Sequence, residues 1–68
     1  MNRIPRHFNH ILAELVTKTN AGNPGDIFEI VRNERGGLSG TSLASEKEYA
    51  ICPSILRNEN VYHIIEIV

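Results

Sequence analysis

A disulfide within the chain is impossible, because Cys52 is the only cysteine among 68 residues. That scarcity gives no support to a secreted, disulfide-stapled scaffold and fits a reducing compartment, so a cytoplasmic protein is expected. Long hydrophobic runs are missing too. No apolar stretch reaches the ~18 residues that a spanning helix needs. The arginines near the N-terminus are followed by neither an apolar run nor a small-residue cleavage site, so no signal peptide is expected. No sign of charge dominates, with seven Lys and Arg against eight Asp and Glu for a net charge of −1. No global field therefore draws the chain onto nucleic acid or a membrane. Aromatics amount to only 6%, and the alternation of basic and aromatic residues that single-strand binders use is not found.

The residues of known chemistries are also missing from the spacings that would make them work. "GGLSGTS" lacks the lysine and following helix of a phosphate cradle. Ser39 lacks the strand–elbow–helix context of a hydrolase nucleophile. His7, His10, His63 and Cys52 supply zinc-type ligands, but the expected elements turn the first pair away from the other two. Cys52, flanked by Ile51 and Pro53, reads as a small buried hydrophobe rather than a reactive thiol. The acids are scattered singly, so no carboxylate pair stands out for acid–base work. No cofactor, no metal and no enzymatic activity are expected.

What is present is a hydrophobic content of 41%, ordinary for a folded domain. The length allows one domain, residues 1–68. A domain this small buries only about 60% of the surface its unfolded chain exposes. With a disulfide excluded, subunit association becomes the expected supplement. Ile4, Phe8, Ile11, Leu12, Leu15 and Val16 recur at three- and four-residue spacing after Pro5. This predicts an amphipathic helix over residues 5–19, stopped by the turn "NPGD". "DIFEIVRN" and "EYAIC" read as strands, and "VYHIIEIV" as the clearest strand of all. Residues 36–48 read as a long polar link, with Ser45 and Glu48 spaced as a capping box that leaves room for a short helix near 43–50. The expected fold is α+β, an N-terminal helix on a three-stranded antiparallel sheet in the order α-β-β-β. The alternative is a small SH3-like β-barrel with an N-terminal helix.

Two surfaces then look unfinished. One helix covers at best one face of such a sheet. Four large apolar side chains left on the other face, at about 1.5–3 kcal/mol each, would forgo roughly 6–12 kcal/mol. Such a patch marks an interface, with Tyr62, Ile64 and Val68 of the last strand as its expected contacts, unless the long loop or a short helix at 43–50 folds over that face. That strand is placed at an edge, where it would pair with its twin in a homodimer. The second surface is cationic. Arg3, Arg6, His7 and His10 would crowd the end of a helix that prefers anions, and "RNERGG" adds Arg32 and Arg35. These residues point to an acidic protein partner or, more weakly, to nucleic-acid phosphate. The alternatives are a merely solvated face, with His10 paired to Glu14, and pairing with the chain's own Glu46, Glu48 or Glu59. The expected function is a small non-enzymatic binding protein, an inhibitor, adaptor or regulator of a larger bacterial or phage complex. A DNA- or RNA-binding regulator is the alternative.

Overall fold

Alternation, not a helical stripe, organises the N-terminal third. In the computed structural model, which describes residues 2–68, Ile11, Ala13 and Leu15 are fully buried while Leu12 and Glu14 between them are half-buried. That period of two makes Ile11–Leu15 the first strand, β1. The others are β2 (Ile27–Arg32), β3 (Leu38–Ser42), β4 (Glu48–Ile51) and β5 (Tyr62–Ile67), with one helical turn, α1 (Pro53–Leu56), between β4 and β5. They form one five-stranded antiparallel sheet in the order β4-β3-β2-β1-β5.

The expected helix over residues 5–19 is therefore absent, and so is the three-stranded sheet on which it was to lie. The barrel alternative fails in the same element, since it too carried an N-terminal helix. Two physical reasons stand out. An isolated helix of that length is marginal in water and needs a sheet face to pack on. As a strand, the same residues gain two neighbours, pairing Ile11 with Ile30 and Ile67, and Ala13 with Phe28 and Ile64. Ala13 contributes nothing to an apolar stripe read from the sequence, yet it holds the middle inward position of the strand.

The polar link of residues 36–48 is also corrected: it contains β3 and the turn into β4, with no helix near 43–50. Gly40 is inward-facing and buried because Ile51 fills its space; a Cβ there would stand 2.9 Å from Ile51 Cγ1. Ser42, also inward and 1% exposed, accepts a hydrogen bond from Ser45 N at 3.2 Å. Ser45 Oγ accepts from Lys47 N at 3.3 Å instead of capping a helix, and Glu46 takes the left-handed φ of 62° that closes the hairpin. At the other hairpin Gly36 has φ 81°, and Asn33 Oδ1 accepts from Arg35 N and Gly37 N.

The sheet is rolled about Phe28. Its ring stands edge-on to Tyr62 of β5 at 5.9 Å and to Tyr49 of β4 at 6.2 Å between centroids, although those strands lie at opposite ends of the order. Leu56 of α1 closes the core, and Ile4 and Phe8 of the N-terminal segment pack against it. That segment is strapped down at Asn2, whose backbone N donates to Arg57 O (3.1 Å) and whose Nδ2 donates to Leu56 O (3.0 Å) and Tyr62 O (2.8 Å). The inner face is thus covered by the chain's own roll and strap, not by one helix. The outer face carries a row Glu48–Thr41–Glu29–Leu12–Glu66 running across all five strands. Its carboxylates recur every second strand, about 9–10 Å apart.

Candidate binding surface

Two of the expected cationic spots meet at one place. Arg32 ends β2, and its guanidinium carbon sits 5.1 Å from the centre of the Phe8 ring. Nη1 donates to Gly36 O at 3.3 Å and Nη2 to Arg6 O at 3.5 Å. One side chain therefore ties the N-terminal segment to the β2–β3 hairpin, and stacking adds about 0.5–1 kcal/mol at an exposed site. The result is a shallow groove lined by Arg6, His7, Phe8, Asn9, Arg32 and Val68. Val68 is placed by backbone pairing: its N donates to His10 O at 2.9 Å, and its O accepts from Asn9 N at 2.6 Å. Among the described residues, no Asp or Glu side chain lines the groove.

The remaining sequence-predicted residues divide. Arg35 is exposed at the tip of the hairpin that Arg32 grips. Arg3 is exposed but belongs to a different hollow, with Pro5, Arg57 and Ile67. His10 is half-buried and opposes Val68. Ile64 is half-buried against the core, and Tyr62 is inside it, 2% exposed. Tyr62 thus offers no surface of the kind expected of it. The cause is its register: Tyr62 and Ile64 directly oppose the buried Leu15 and Ala13, and a β-bulge at Ile65 then brings Ile67, opposite Ile11, to the same face. With no helix at residues 5–19, the misplaced-dipole argument for Arg3, Arg6, His7 and His10 loses its premise. Arg6 and His7 share a groove for another reason, the strap.

A second concavity has no counterpart in the sequence reading. It lies between β4 and the start of β5 and includes Tyr49, Ile51, Ile55 and Val61. Its lining comes from segments far apart in the chain, so no local pattern announces it. Cys52, also in the lining, is exposed and not buried as expected from its apolar flanks, with Sγ 3.0 Å from Ser54 Oγ. That hydrogen bond, helped by the backbone N–H groups of Ser54 and Ile55, lowers its pKa from the ordinary thiol value. Among the described residues, no three His, Cys, Asp or Glu gather as a metal site. No described helix is long and apolar enough to cross a membrane.

No family model, curated protein or solved structure matches the chain.

Proposed function

We propose that the chain is a small non-enzymatic, cytoplasmic binding protein that inhibits, adapts or regulates a larger assembly by associating with another protein. Its cationic groove seats an acidic segment of that partner. The observation that carries this reading is the groove itself: Arg6, His7 and Arg32, from the strap and from β2, line one concavity that no described Asp or Glu side chain lines. Arg32 spends two of its N–H groups on Gly36 and Arg6. A guanidinium has five, so donors remain for a carboxylate, and Arg6 is exposed. Nucleic acid is the second reading and rests on the same arginines. It is weakened by the outer sheet face, where Glu14, Glu29, Glu48 and Glu66 would repel a phosphate backbone.

The test is a titration of the protein into labelled glutamate-rich peptide, RNA and DNA of matched length, at low and physiological salt. The expected result is salt-sensitive peptide binding that weakens at least about tenfold in Arg6→Glu, as for loss of a charged hydrogen bond. Tighter binding of RNA or DNA, equally lost in Arg6→Glu, would replace this reading with the second. No binding to any of the three would sink both.

A further inference from the structure

The two edges of the rolled sheet are not equivalent. Ser42 N donates to Lys47 O at 2.9 Å, which sets the phase of the β3–β4 ladder. Bonded and non-bonded pairs alternate in an antiparallel ladder. Tyr49 and Ile51 therefore face Gly40 and Leu38 with their backbone groups, and Glu48 and Ala50 turn their N–H and C=O away from the sheet. No described group pairs with them. At the seam where the β4 edge faces the start of β5, the corresponding groups of Tyr62 are taken: its N donates to Asn58 O at 3.0 Å, and its O accepts from Asn2 Nδ2 at 2.8 Å. Between the two edges runs a groove of about 380 Å³ lined chiefly by carbon, from Tyr49, Ile51, Ile55 and Val61 among others, with the polar Thr19 and Asn20 also in its lining.

We propose that the open edge of β4 and the groove beside it take up an extended segment of another protein as an added strand. Each part of the surface specifies part of the occupant. Outward N–H and C=O groups at Glu48 and Ala50 require an extended backbone; a helix spends its own groups internally and leaves the edge unpaired. The carbon-lined groove takes the apolar side chains on the segment's inward side. Glu48, on the outer face, favours a basic residue opposite it, because like charges directly opposed across strands are destabilising. A second copy pairing β4 with β4 fits less well. The strand is only four residues long, too short for two paired edges to clear the ~1,000 Å² of a stable dimer, whereas a segment that binds transiently need not clear it. The segment sought here is basic and apolar and binds at the seam. The failure of either proposal therefore leaves the other standing.

The probe is a pool of short blocked peptides in which lysine alternates with valine, leucine, isoleucine or phenylalanine, added to isotope-labelled protein. Expected are amide shift changes and slowed hydrogen exchange at Glu48 and Ala50. Ala50→Pro removes an outward donor without touching the β3 ladder, a substitution that edge strands tolerate, and should weaken binding about three- to tenfold. Ile55→Lys, at a residue 43% exposed, charges the groove and should weaken it independently if the proline variant does not fold. The proposal is overturned by silence of amides 48–51 toward the whole pool, or by an equal response to peptides with N-methylated backbones. A concentration-dependent dimer lost in Ala50→Pro would likewise overturn it, by giving the edge to a second copy.

Discussion

The two faces of the same five strands obey different rules. The inner face is apolar except for Ser42, and Phe28, Ile30, Ile11 and Leu15 are fully buried there. The outer face mixes Glu14, Glu29, Glu48 and Glu66 with Leu12, Ile27 and Val31. Several aliphatic side chains stay largely exposed, Val16, Leu43 and Ile65 at 46%, 56% and 50%. Stability is concentrated on one side, where packing is close and volume changes are felt. The other side tolerates exposed carbon because the carboxylates keep it hydrated. The described residues hold no second layer of helices, so rolling the sheet is how the inner side is hidden.

Gly40 is where the inner face is tightest, and it gives the largest effect. Gly40→Ala puts a methyl group against Ile51, buried at 7% exposure. Overpacking of this kind costs about 1–3 kcal/mol. Alanine recovers only about 0.5–1 kcal/mol over glycine in a strand. Urea unfolding should show the loss. Combining it with Ile51→Ala should cost clearly less than the two single changes added together, since the contact is then gone. Additive costs would mean that Gly40 is not held by Ile51 and that the inner face is looser than described.

Gly40 and Ser42 also explain what the sequence conceals. β2 and β5 were legible because β-branched and aromatic residues fill them. β3, "LSGTS", was not, because two of its three inward positions hold the smallest side chains available, and small residues read as a loop. β1 was misread because Ile11, Leu12, Leu15 and Val16 satisfy a helical stripe as well as a strand. Only tertiary pairing with Ile30 and Ile67 decides between them. Of the candidate surface, Arg6, His7 and Arg32 were visible as charge without a local reason. Their meeting was not, since it depends on a strap folding back over Phe8. Tyr62 reads as surface because both faces of "VYHIIEIV" are apolar, and only its pairing with Leu15 shows which one is inner.

Alkaline pH tests the inner face without altering its shape. Burial raises the Tyr62 pKa above its ordinary value of 10.0. The folded state then holds the proton more tightly than the unfolded one, so stability is fully present below pH ~10 and falls as pH rises through the folded pKa. Thermal melts across that range should show a decline that is reduced in Tyr62→Phe. An unchanged decline would place its cause elsewhere, Tyr49 being the other phenol near Phe28.

The smallest effect belongs to the outer face and bears on self-association. Val31→Thr keeps β-branching at a residue 36% exposed. In a monomer such a surface change falls within about ±0.5 kcal/mol. Ile65→Thr, at the bulge, is expected to be equally mild. If either instead costs more than about 1 kcal/mol, and the cost grows with protein concentration, the outer aliphatics are buried by a second subunit. Sedimentation of the wild-type chain alongside these variants separates the cases. A monomer at all concentrations with near-neutral variants leaves the outer face solvated. A dimer weakened by both variants would assign that face to the twofold partner, and the exposed carbon there would then be contact surface.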